Sequence, residues 1–181
     1  MTKAHNFTII ASDIDIERED FSDPFFEAGC DDATISIQKG LVVLEFDREA
    51  RSFSSALLSA IVAVESAGAK VERVEPDYLV NASDIALRAK LGRSAVSNYA
   101  LGLRGKGFPH PVARVTTDSP LWDWVQVSRW MYNHRRIARS AVVEAAVVRE
   151  INRIVAEDRP ASLNIGRQLE SRRHERRRIA P

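Results

Sequence analysis

Residues Glu75-Pro76-Asp77 mark the point at which this 181-residue chain changes sign. Residues 1–76 hold 7 Lys/Arg against 15 Asp/Glu, a net of −8, and residues 77–181 hold 19 against 10, a net of +9. The overall charge of +1 conceals this division. Proline at the junction also stops any preceding regular element. Such an asymmetry suggests two modules, an acidic one that should avoid nucleic acid and a basic one that should seek it. The length suffices for one large domain or two small ones, each able to bury a core.

In the acidic part, Phe7, Ile9 and Ala11 alternate in a first strand. A polar connection, Asp13 to Asp23, leads to a short helix or turn at Pro24 to Ala28, ended by Gly29. Ala33 to Ile37 alternates cleanly, Lys39-Gly40 makes a tight turn, and Leu41 to Phe46 returns as a more buried strand. Phe53, Ala56, Leu57, Ala60, Ile61 and Val64 then follow a three-four helical spacing, Gly68 terminates the helix, and Lys70 to Val74 reads as a last strand. One sheet with both helices on one face packs this order most economically, as a ferredoxin-like or ACT-like sandwich. That fold serves sensing, dimerisation and catalysis alike. Asp13, Asp15, Glu17, Glu19 and Asp20 lack the spacing of a calcium loop and read as a solvated acidic loop, and Asp31-Asp32 as a turn before a strand. Cys30 stands alone, which excludes an intrachain disulfide and a cysteine-cluster metal site and favours a small buried side chain.

The basic part opens with two short helices around a glycine turn. Asn81 or Ser83 starts the first, whose Ala82, Ile85, Ala86 and Ala89 share a face. Gly92 offers a position where positive φ costs nothing, and Ser94 is expected to cap the second helix. With Val96 and Tyr99 inward, Arg93, Ser94, Ala95, Ser97 and Asn98 form an outward surface of small and polar side chains. Short or amide side chains flanked by cations suit a helix that enters a major groove. The stretch closes into the basic, glycine-rich Gly102 to Gly107, where Arg104 and Lys106 are placed for phosphates.

The series NASDIA, LGRSAVSNY, GFPHPV and SPLWDWVQVSRWM, covering about Leu79 to Met131, resembles the winged helix-turn-helix of excisionase-like and MerR-type DNA-binding proteins. In that family a strand carrying Phe-Pro follows the recognition helix and a tryptophan-containing strand leads into a further helix. The interval from Ala86 to Gly92 is two residues longer than in the family, so the first helix lengthens or the turn loosens. The resemblance implies a wing, with Val112 to Val115 and Leu121-Trp122 pairing around residues 116–120 and Arg114, Thr116 and Thr117 on the sugar-phosphate backbone. Phe108 to Val112 must be extended because Pro109 and Pro111 fix their own φ and bias their predecessors. Asp123 can cap a helix carrying Trp124, Val127, Trp130 and Met131, in which the tryptophans pack and do not stack on bases.

Residues 135–158 contain no helix breaker and run apolar nearly all round from Ala141 to Val148, interrupted by Glu144. Such a helix must be covered on more than one side, as a dimerisation element or a strut between modules. Residues 159–181 carry Arg167, Arg172, Arg173, Arg176, Arg177 and Arg178, either a flexible solvated end or a phosphate-binding arm. His5, His110, His134 and His174 are scattered without metal-ligand spacing, and the glycine-rich segment lacks the spacing and the Ser/Thr of a phosphate loop. No catalytic constellation and no cofactor motif is present. No apolar run nears the roughly 20 residues of a membrane span and Met1 to Phe7 has no signal-peptide core, so a cytoplasmic protein is expected.

The expected architecture is α+β: a sandwich over 1–76, a winged helix-turn-helix over 77–134, a helix over 135–158 and an Arg-rich tail. The expected function is a sequence-specific, homodimeric regulator of transcription on double-stranded DNA, with an effector or protein partner on the acidic module. The alternative is an antitoxin or other interaction module whose acidic half covers a basic protein and whose basic half represses its own operon.

Overall fold

The computed structural model describes residues 1–157, so the arginines of the tail lie outside the described residues. The fold is mixed α+β with two compact units among the described residues, one comprising Met1–Pro76 together with residues 150–157, the other Asp77–Arg149.

The first unit is built on a four-stranded antiparallel sheet, β1 (Lys3–Ser12), β2 (Ala33–Gln38), β3 (Leu41–Ala50) and β4 (Lys70–Glu75), in the order β2-β3-β1-β4. Helix α1 (Asp23–Glu27) links β1 to β2 and α2 (Phe53–Ser66) links β3 to β4, the order of elements expected from the sequence. Alternation decides which face is buried. Phe7, Ile9 and Ala11 of β1 and Val42, Leu44 and Phe46 of β3 are nearly inaccessible, as are Ala56, Leu57, Ala60, Ile61 and Val64 of α2. Burying each large aliphatic side chain contributes about 1.5–3 kcal/mol relative to leaving it exposed. Lys39 and Gly40 both take positive φ, as a two-residue hairpin turn between right-twisted strands requires. β3 extends past Phe46 to Ala50, where Arg48 is only 9% exposed. Its guanidinium donates twice to Asp32, at 2.8 and 2.6 Å, and to the Gly29 carbonyl at 2.6 Å. This clasp ties the α1–β2 turn to β3 and explains why Arg48 is tolerated on the core side.

In the second unit, β5 (Leu79–Val80) pairs with β6 (Trp122–Asp123), and α3 (Ala82–Arg88), α4 (Arg93–Ala100) and α5 (Trp124–Asn133) surround one core. That core includes Val80, Ile85, Ala86, Val96, Tyr99, Phe108, all three tryptophans, Met131 and Ala145, so the tryptophans are packing residues as expected. Helix α6 (Arg139–Ala156) contributes its residues to Arg149 to this unit and those from Glu150 to the first. The unbroken helix expected from residue 135 is not formed. Arg135 has φ 55° and closes α5, because the Arg136 N–H reaches back to the Met131 carbonyl at 2.9 Å.

Candidate nucleic-acid interface

Helix α3 begins with a complete capping box. The Asn81 side chain accepts from the Ser83 and Asp84 N–H groups at 2.7 and 3.0 Å, and Asp84 accepts from the Asn81 N–H at 2.9 Å. Its end departs from expectation in an instructive way. Lys90, not Gly92, takes the left-handed conformation, with φ 53°, while Gly92 has φ −73°. The Lys90 N–H bonds to the Leu87 carbonyl and the Leu91 N–H to the Ala86 carbonyl at 2.8 Å, a Schellman closure. Helix α3 therefore ends at Arg88, and the residues between Ala89 and Gly92 form the turn.

Gly92 is the N-cap of α4, with no side-chain cap hydrogen bond. Ser94, expected to cap, instead lies inside the first turn with its side chain exposed. Val96 and Tyr99 are buried, Arg93, Ser94 and Ser97 are exposed, and Ala95 and Asn98 are half-buried. The outward face thus consists of small and polar side chains beside an N-terminus that favours anions.

The glycine-rich loop after α4 is held from beneath. The Asn98 carbonyl accepts from the Leu103 and Arg104 N–H groups at 2.9 and 3.1 Å, and Trp130 Nε1 donates to the Lys106 carbonyl at 3.3 Å. Gly105, at φ 67°, lies so close to the rings that a Cβ there would meet Trp130 at 2.7 Å and Tyr99 at 2.8 Å. Phe108 stacks on Tyr99 with centroids 5.8 Å apart and meets Trp130 edge-on at 5.1 Å. Trp122 Nε1 donates to the Pro109 carbonyl at 3.0 Å. An aromatic floor therefore fixes the loop while Arg104 and Lys106 remain exposed.

The expected two-stranded wing is reduced to a single bridge, Ala113 with Leu121. Two features oppose a longer ladder. Pro109 and Pro111 have no N–H, and Arg114 turns out of the extended region with φ 51°. Leu121 leads directly into β6, which pairs with β5. Arg114, Thr116 and Thr117 are exposed on the loop this bridge closes. The Thr117 hydroxyl is engaged locally, donating to the Arg114 carbonyl at 2.9 Å and accepting from the Ser119 N–H.

Residues 77–149 carry 11 Lys/Arg against 5 Asp/Glu. Three of those carboxylates are occupied: Asp84 in the capping box, Asp77 by the Leu79 N–H, and Asp123 by the Val125 N–H and by Arg149 at 2.7 Å. Arg88 donates to the Asp77 carbonyl and lies over the Trp124 ring. Lys90, Arg93, Arg104, Lys106, Arg114, Arg129, Arg135, Arg136 and Arg139 take part in no ion pair among the described residues. Charge counting could have flagged Lys90, Arg129, Arg135, Arg136 and Arg139; nothing in their spacing did so.

Among the described residues, no group of three or more His, Cys, Asp and Glu is placed to hold a metal ion, and no helix is long and apolar enough to cross a membrane. Comparison of the chain with models of known protein families, with curated proteins and with solved structures finds no match.

Proposed function

We propose that the chain is a sequence-specific regulator of transcription that binds double-stranded DNA through Asp77–Arg149. In this reading α4 enters the major groove with Arg93, Ser94, Ala95, Ser97 and Asn98 toward base edges, and Arg104, Lys106 and Arg114 meet phosphates. The observation that carries it is the juxtaposition of α4's small, polar exposed face with a rigidly held loop whose cations have no ion-pair partner among the described residues. Unpaired cations on a fixed scaffold release counterions on meeting a polyanion, which supplies affinity, while short side chains allow close approach to bases.

The α3–α4 pair then corresponds to a helix-turn-helix and the loop closed by Ala113 and Leu121 to a short wing carrying Thr116 and Thr117. The order β2-β3-β1-β4 in the first unit supports a ferredoxin-like sandwich, which offers an acidic surface to an effector or protein partner. A two-fold dimer presents two copies of α4 to successive major grooves. Binding of the full chain to duplex from its own upstream region, against scrambled duplex of equal length, tests the assignment. Preference for the upstream fragment supports it, and equal binding or none contradicts it.

A further inference from the structure

The two edges of the four-stranded sheet are treated in opposite ways. β4 has four charged residues in six, Lys70, Glu72, Arg73 and Glu75, and its outer backbone groups at Val74 are occupied by the Asn152 side chain. Charge and a covering element are the ordinary means of keeping a sheet edge from pairing with another chain. β2 has neither. Its sequence, ATISIQ, contains no charged residue and no proline, its register with β3 runs without a bulge, and no strand lies on its other side among the described residues. Ile37 remains 42% exposed.

The hairpin determines which groups face outward. With a two-residue turn, Gln38 and Leu41 form the first hydrogen-bonded pair, so Ser36 and Thr34 also bond to β3. Ile35 and Ile37 therefore direct their N–H and C=O groups to the open edge. Their side chains share the face of Leu44 and Val42, the helix-covered side of the sheet.

From this we infer that β2 pairs antiparallel with β2 of a second copy of the chain, about a two-fold axis at Ser36, to make a continuous eight-stranded sheet. This register sets Ile35 opposite Ile37 of the partner twice, joining bonded backbone groups and covering the exposed isoleucine. It also sets Thr34 opposite Gln38 of the partner twice. A strand facing itself doubles any like charge across the axis, and a neutral strand is the composition that self-pairing requires. Helix α6 is less suited to this role, since Ala145, Val148, Ile151, Ile154 and Val155 are already buried within one chain. The interface deepens the dimer in the DNA-binding reading, and its test needs no DNA.

The test uses full-length protein. Ser36 faces itself in a non-hydrogen-bonded pair, where Cα atoms lie about 4.5 Å apart, within disulfide range. The two Thr34 residues lie roughly 14 Å apart along the strands. Light scattering should give a dimer mass, and mild oxidation should crosslink Ser36→Cys but not Thr34→Cys, with buried Cys30 silent in both. Ser36→Asp, its fold checked by circular dichroism, should raise the dimer dissociation constant at least tenfold. A wild-type monomer at all concentrations overturns the inference. So does a dimer in which Ser36→Cys fails to crosslink, or in which both cysteine variants crosslink alike.

Discussion

The side-chain amide of Asn152 occupies the outer edge of β4 as another strand would. Its Oδ1 accepts the Val74 N–H at 2.8 Å and its Nδ2 donates to the Val74 carbonyl at 2.9 Å, with Asn152 only 6% exposed. Both backbone groups lose their partners if the amide is removed. Asn152→Ala is expected to destabilise the first unit by about 2 kcal/mol, read by urea unfolding. A loss below roughly 0.5 kcal/mol would mean that water replaces the amide fully.

The Asp32–Arg48 clasp makes stability depend on acid. The hydrogen bond from Arg48, helped by its charge, holds the Asp32 carboxyl below its ordinary range. A depressed folded-state value contributes stability that is complete above the unfolded value of about 3.9 and is lost as pH falls through the folded one. Asp32→Asn leaves Arg48 in a buried site without its counter-charge, at a cost of about 3 kcal/mol near neutrality. The gap between wild type and variant should narrow as pH drops below the carboxylate range, measured by urea unfolding at several pH values. A gap independent of pH contradicts this assignment.

Gly105 and Gly107 both have positive φ, but only Gly105 lies against aromatic rings. Gly107→Ala should cost about 1 kcal/mol, the backbone penalty alone. Gly105→Ala must also displace Trp130 or Tyr99 and should cost about 1–3 kcal/mol more. Thermal unfolding followed by tryptophan fluorescence separates the two; equal effects would mean that the loop is not seated on Trp130.

If Arg104 and Lys106 contact phosphates, each alanine variant should reduce the slope of log affinity against log salt by about 0.9. The loss should be the same on specific and scrambled duplex. A sequence-dependent loss would move these residues from phosphate to base contacts.

Where local chemistry decides structure, the sequence was legible. The apolar spacing from Phe53 to Val64 defines α2, Lys39-Gly40 defines the hairpin, and Asn81 and Asp123 cap the helices expected of them. Three departures from expectation have their causes in how helices and strands end. Gly92 was the natural residue for positive φ, yet Lys90 adopts it because α3 ends at Arg88 and its carbonyls need the Lys90 and Leu91 N–H groups. The absence of any helix breaker over residues 135–158 hid the closure of α5. The resemblance implied a strand at Val112 to Val115 paired with Leu121-Trp122, but only Leu121 bridges back to Ala113, and Trp122 pairs with Val80 of β5. The Arg48–Asp32 and Asn152–Val74 contacts join residues 16 and 78 positions apart, and no local pattern encodes them. For the candidate interface, residue types and exposure were legible, while the aromatic floor that fixes the loop was not.

The most direct test of the central claim is a salt titration of full-length chain on its own upstream duplex and on scrambled duplex, with wild type beside Asn98→Ala. Wild type is expected to prefer its own fragment, and Asn98→Ala to lose about 1–3 kcal/mol of that preference with an unchanged salt slope. Indistinguishable binding of both duplexes by wild type, unaltered by Asn98→Ala, would contradict α4 as a recognition helix.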